Sequence, residues 1–280
     1  MQYALVFRTE ISYGAVKVPL SIMSLPIVVI VHANQEDMAL ATVIWDYAFA
    51  EPGRELFVAP EQVTWSQLCN VLSEMFRKRV GAELTGQAIH YLAQKLFNDQ
   101  NAQSFDQRVV TWKHFAKDSL PGVKLHPCSA TNDKVSFWSW FRAALELSTK
   151  YLKKYWMDGH IIGFINKDVS GQMLLGKPQG TFLIRFSDTL VGAVSASWIE
   201  YNSEGAGVVQ YMFPQQARDL KVVPFNDRIS NPEELVFLYP NIPKEQVFKK
   251  TVVEQPSGLS KLYRPICIRA DRRASCRERV

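Results

Sequence analysis

The chain has 280 residues, 47% of them hydrophobic and 21% charged, which excludes a disordered or membrane-embedded composition and suffices for one large or two to three modest domains with real cores. Its formal charge of +5 hints at nucleic acid, but the excess is local: residues 261–280 hold seven basic residues against two acids. The first 260 residues therefore sum to zero, and whole-chain charge says little about partners. Cys69, Cys128, Cys267 and Cys276 lie far apart with no CxxC spacing, which reads as free thiols in a reducing compartment. The most apolar stretch, "VPLSIMSLPIVVIVHA", is broken by Pro19 and Pro26 and lacks a basic flank, so neither a membrane span nor a signal peptide is expected.

In chain order, residues 1–60 read as β. "YALVF", "AVKVPLSIM", "LPIVVIVHA" and "ALATVIW" are short β-branched runs separated by Gly14, Pro26 and "NQED", with no helical period before residue 61. From there Trp65, Leu68, Leu72, Met75 and Phe76 recur at helical spacing, as do Ile89, Leu92, Leu96 and Phe97. After the loop "SLPGVKLHPCSATNDK", a long amphipathic helix runs through Trp138, Phe141, Leu145 and Leu152. The last third alternates. A helix is expected over "IIGFINKDVSGQMLL", strands over "GTFLIRFSDT", "GAVSASWIEY" and "GVVQYMF", and a helix over "NPEELVFLYP" with Asn231 as N-cap and Pro232 at N1. Helix, central antiparallel strands and helix make an α+β module.

Within the first of those strands Phe182, Ile184 and Phe186 share one face, while Thr181, Leu183, Arg185 and Ser187 share the other. A guanidinium there must be paired, because an unpaired buried charge is too costly. Ser187, Asp188 and Thr189 follow at once, and Lys167 stands one helix earlier. Together they could hold a doubly charged oxyanion, arginine bidentately and lysine as a point charge. Equally, Arg185 could pair with an internal carboxylate, Asp188 being nearest. Spacing alone leaves both readings open.

Other signals are weaker. His32, His90, His114, His126 and His160 are scattered, "HPC" at 126–128 reads as a loop rather than metal ligands, and "EGAG" at 204–207 reads as a hairpin turn. There is no GxSxG, P-loop or catalytic cysteine context, so no enzyme, cofactor, metal or small-molecule substrate is expected. "RRAS" around Ser275 has the form of a basophilic kinase site, but a solvated tail is the plainer reading.

"GTFLIRFSD", with "DGHIIGFINK" before it and "GAVSASW" after, resembles the SH2 domain of the signal transducer and activator of transcription (STAT) family. "FLYPNIPKEQVF", "LPIVVIVHANQ", "ATVIWDYAFAEPGR" and "VTWSQLCNVLSEMF" match the same family in its own domain order. The resemblance implies a truncated all-β (Ig-like) DNA-binding domain over 1–60, a helical linker domain over 61–157, an α+β SH2 domain over 158–270, and an atypical basic tail over 271–280. It implies that Arg185 grips phosphotyrosine with Lys167, Ser187, Asp188 and Thr189, the family's frequent Glu-Ser being Asp-Thr here.

The resemblance also implies that "VHANQEDMA", with His32, Asn34 and Gln35, reaches base edges of DNA. Against autonomous DNA affinity, residues 1–60 hold three basic residues against six acids. By the same resemblance the chain begins part-way through the β domain and stops short of the family's activating tyrosine and transactivation segment, Tyr263 being part of the module. The expected partners are phosphotyrosine segments of receptors or of a second chain, with DNA for the full-length dimer. Cytoplasm and nucleus are the expected locations. The alternative is a dominant-negative or scaffold piece that binds phosphotyrosine or protein partners without DNA.

Overall fold

A computed structural model describes residues 2–51, 55, 58–128 and 134–249. Cys267, Cys276, Tyr263, Ser275 and the basic tail lie outside the described residues.

The N-terminal part pairs β1 (Gln2–Tyr3) with β4 (Ile27–Val28), and between them β2 (Val6–Tyr13) and β3 (Val16–Met23) form an antiparallel hairpin. Its two-residue turn opens with Gly14 at φ 60°, a conformation that costs glycine nothing. The hairpin is exposed along nearly its whole length. The next predicted strand is instead a helix, α1 (Glu36–Phe49), which takes in all of "ALATVIW". The β-branched Thr42, Val43 and Ile44 favour a strand, but tertiary contacts decide otherwise. Ala41 and Trp45, four residues apart, are buried on one face, and Glu36 and Asp37 occupy the first turn where the helix dipole favours acids. Trp138 Nε1 donates to Asp37 O at 2.9 Å, and Arg142 pairs with Glu36 and Asp37.

The helical part uses one device twice. "Val-Thr-Trp" occurs at 63–65 and 110–112, ending the short paired strands β5 (Gln62–Thr64) and β6 (Val109–Thr111). Each threonine caps the helix that its tryptophan begins: α2 (Trp65–Val80), where Thr64 accepts from Gln67 N at 3.3 Å, and α4 (Trp112–Ala116), where Thr111 accepts from His114 N at 3.2 Å. Between them lies α3 (Gly86–Phe97). The expected long helix is present as α5 (Phe137–Leu147), a π-helical turn over Ser148–Leu152, and α6 (Lys153–Met157). At that turn Ser148 and Thr149 hydroxyls donate to the carbonyls of Ala144 and Leu145, both at 2.8 Å.

The last part opens with α7 (Lys167–Leu174), which starts later than the sequence suggests. Gly163 at φ 69° and the Asn166 cap, accepting from Val169 N at 2.7 Å, keep 160–166 out of the helix. Strand β7 (Thr181–Phe186) lies between β8 (Ala193–Tyr201), antiparallel, and β11 (Phe237–Leu238), parallel. β9 (Gly207–Tyr211) and β10 (Gln215–Gln216) pair with β8, and β12 (Ile242–Pro243) pairs with β11. Helices α8 (Ala217–Val222), α9 (Phe225–Ser230) and α10 (Lys244–Val247) complete it. The helix expected over "NPEELVFLYP" is not formed: Asn231 is the C-cap of α9, and the apolar run joins the sheet. There Val236 N donates to Gly180 O at 2.8 Å and Tyr239 N to Phe182 O at 2.7 Å, so strand pairing wins over the capping signal.

One hydrophobic core runs from Ala41 and Trp45 through the helices to Phe182, Ile184 and Phe186 of β7. Phe164 sits at its junction, its ring centroid 5.8 Å from Phe76, 5.9 Å from Trp140, 6.0 Å from Phe141 and 4.8 Å from Phe186. The opposite face of β7 packs a smaller core of Leu174, Leu183 and Ile199. Gly163 permits the junction, since a Cβ there would stand 2.4 Å from the Trp156 ring. Gly163→Ala is expected to destabilise the protein by about 1–3 kcal/mol from overpacking, increased by its positive φ. Urea unfolding followed by tryptophan fluorescence checks it, and an unchanged midpoint would contradict the junction described.

Candidate functional site

Arg185 is buried in β7, on the face it shares with Leu183, and is 5% exposed. Both of its hydrogen bonds leave from Nη1, to Phe186 O at 2.9 Å and to Asp188 Oδ2 at 3.0 Å. Nε is buried without a partner. The guanidinium is therefore held by one corner, with donor capacity left over in a place where orphan donors are costly.

The turn after the strand is organised by Ser187, whose Oγ accepts from Leu190 N at 3.1 Å and Thr189 N at 3.4 Å. Thr189 is exposed and its carbonyl accepts from Lys124 N at 2.8 Å. Lys167, the first residue of α7, donates its backbone N–H to Asp188 Oδ2 at 3.0 Å. Its ammonium lies 4.1 Å from the Tyr211 ring centroid, a cation–π contact. Burial pushes the Tyr211 phenol up, and nearby Arg185 pulls it the other way. Arg185, Lys167, Ser187, Asp188 and Thr189, expected to act together, do converge on one turn. Asp188 is the internal partner that spacing suggested for Arg185, and it satisfies only part of the guanidinium.

Sequence reasoning missed the residues that reach this turn from the helical part. Tyr91 of α3 donates its hydroxyl to Asp188 Oδ1, and Lys95 Nζ donates to Asp188 O at 2.6 Å. Burial raises the Tyr91 phenol well above its ordinary value, with Asp188 adding to it, so the group stays a donor. Tyr211 was missed as well. None of these carries a local signal, since each meets the turn only through the fold.

His32, Asn34 and Gln35 lie on an exposed single turn just before α1. Gln35 Oε1 accepts from Val31 N at 2.9 Å and His32 N at 3.3 Å, so that carboxamide is turned back on its own loop. At "HPC", His126 Nδ1 accepts from Cys128 N at 3.0 Å, the geometry of a local turn. Among the described residues no group of three or more His, Cys, Asp or Glu side chains could hold a metal ion. No helix among them is long and apolar enough to cross a membrane.

Central strands with a buried arginine, flanked by helices, agree with the SH2 domain family, whose model matches residues 160–239. The model described as "Signal transducer and activator of transcription, linker domain" matches residues 52–141. The chain is 37% identical over 261 residues to the human protein "Signal transducer and activator of transcription 6", covering 91% of this chain and 30% of that one. A solved structure, "Inactive choanoflagellate E3 ubiquitin ligase Cbl TKB", aligns at 13% identity and a TM-score of only 0.27, over 78% of this chain and 53% of that one. The class is thus an SH2-containing protein with a helical linker domain. The chain belongs to the STAT family, and it spans about a third of the length of the curated relative it matches.

The orphan donors on Arg185 generate a prediction about stability. Removing one partner of a buried pair is costly when it leaves the other charge unpaired, whereas an arginine whose carboxylate partner keeps other donors can give way to an apolar side chain of similar length at little cost. Asp188 keeps its Tyr91 and Lys167 donors in the variant. Arg185→Met is therefore expected to fold with a stability within about 1 kcal/mol of the parent. Chemical denaturation measures this, and a loss of several kcal/mol would make the arginine an internal strut.

Proposed function

We propose that this protein is a STAT-like signalling protein that binds phosphotyrosine through Arg185. The observation that carries the reading is a buried guanidinium with both its bonds on Nη1 and an unpartnered Nε. A phosphate dianion is the ligand whose charge and acceptor count match such a group. Lys167 adds a second positive charge, and Ser187 and Thr189 supply hydroxyls at the same turn. The segments bound are those of receptors or of a second chain of this kind. The domain assignment proposed is 1–60 from the DNA-binding β domain, 61–157 linker and 158–270 SH2.

In the full-length dimer this module serves a transcription factor of cytokine-receptor signalling that moves between cytoplasm and nucleus. His32, Asn34 and Gln35 read DNA there, a role supported by the exposure of His32 and Asn34 on one turn and requiring the Gln35 carboxamide to leave its own loop. The scaffold reading, without DNA, is favoured by the excess of acids over bases in residues 1–60.

Titration with a phosphotyrosine peptide and its unphosphorylated twin tests the binding. The expected outcome is binding that requires the phosphate and weakens by roughly 2–5 kcal/mol, about 30-fold or more, in Arg185→Ala. Equal binding of both peptides by a folded protein would refute the reading. Duplex binding that falls steeply with added salt would favour DNA reading by this chain, and its absence the scaffold.

A further inference from the structure

We propose that the helical linker domain sets the strength of the phosphate grip. In this account Tyr91 and Lys95 of α3 are positioning residues: they hold Asp188 so that its carboxylate takes one corner of Arg185 and leaves the remaining donors for phosphate. The proposal rests on the phosphotyrosine reading above and adds a regulator to the same site.

The geometry is specific. Asp188 is three residues from Arg185 on a turn, near enough to chelate the guanidinium with both carboxylate oxygens, which would make the arginine a closed internal pair. That does not happen because the two oxygens are divided. Oδ2 is shared between Arg185 Nη1 and Lys167 N, both at 3.0 Å, while Oδ1 is taken by the Tyr91 hydroxyl. Lys95 fixes the backbone of the same residue from the same helix. On the other side of the turn the linker segment around Lys124 closes a two-way clasp, Lys124 N to Thr189 O at 2.8 Å and Val191 N to Lys124 O at 2.9 Å.

The same donors address a second difficulty. A carboxylate beside an incoming phosphate repels it, and that repulsion is smaller when the carboxylate's charge is drawn into bonds from Tyr91 and Lys167. The buried Tyr91 phenol remains protonated, as this role requires. Loss of the Tyr91 hydroxyl frees Oδ1 to turn toward Arg185 and compete with the ligand. The phosphate site is thus completed by a domain outside the SH2 fold.

Tyr91→Phe isolates the effect, since it keeps the ring that packs 6.1 Å from Trp140 and removes only the donor. The whole chain would be titrated with a phosphotyrosine peptide as wild type, Tyr91→Phe, Asp188→Asn and the double variant, with thermal melts alongside. Tyr91→Phe is expected to weaken binding roughly 3- to 30-fold, with little further loss in the Asp188→Asn background, the signature of two residues acting through one contact. Unchanged affinity in Tyr91→Phe, or an equal loss in both backgrounds, would overturn the proposal. If Tyr91→Phe melts below the assay temperature, Lys95→Gln takes its place, and unchanged affinity there overturns it equally. Arg185→Ala serves as the control. Loss of phosphate-dependent binding there with Tyr91→Phe unaffected sinks this inference alone, whereas a wild type indifferent to phosphorylation sinks both.

Discussion

An arginine in the middle of a buried strand has to keep its charge, because a guanidinium does not deprotonate inside a protein. It also has to be compensated, because a lone charge at that depth is prohibitively costly. Those two demands are met here by a minimum of partners: one carbonyl, one shared carboxylate oxygen, and a strand whose neighbours on the same face give way from leucine to serine. Serines 195 and 197 oppose Arg185 and Leu183 across the sheet, so the neighbouring strand presents small side chains at those two positions. The rest of the module is arranged around that half-compensated charge. The strand is covered on one face by the large core and on the other by a small one that ends where Arg185 begins.

That arrangement depends on the helical domain as much as on the sheet. Phe164 brings rings from α2, α5 and β7 into contact, so the strand's position relative to the helices is set by close-packed aromatic surfaces rather than by a flexible joint. A shared core of this kind lets α3 approach the turn after β7 in a fixed register. It explains how Tyr91 and Asp188, 97 positions apart in sequence, meet in a hydrogen bond. The boundary between linker and SH2 domain is therefore one of sequence family, while the packing is continuous across it.

What could be read from the sequence follows the range of the signals. The helices α2 and α3 and the strand around Arg185 carry local marks: hydrophobic period and alternation. Asp188 as the internal partner of Arg185 was readable because it is three residues away. Tyr91, Lys95 and Tyr211 were not, since nothing near them in sequence announces a contact with Asp188 or Lys167. The errors have the same cause. "ALATVIW" has the composition of a strand and is a helix because Trp138 and Arg142, a hundred residues on, hold its first turn. "NPEELVFLYP" has the cap of a helix and is drawn into the sheet because the edge of β7 stands open to it. In each case a distant partner outweighed a local preference of a fraction of a kcal/mol per residue.

The π-helical turn at Ser148–Leu152 sets the phase of the rod that joins the two halves. Before it, α5 turns Phe137, Phe141 and Leu145 toward the linker core; after it, Tyr155 stacks on Phe248, at 5.0 Å, and Trp156 meets Phe76 and Phe186. A regular helix advances about 100° per residue, so the wider turn works as a one-residue angular offset between two otherwise regular rods. The length of that segment is consequently a clocking constraint. Side-chain substitutions within it leave the offset in place, whereas adding or removing a single residue would rotate the aromatic pair out of line with both of the surfaces it joins.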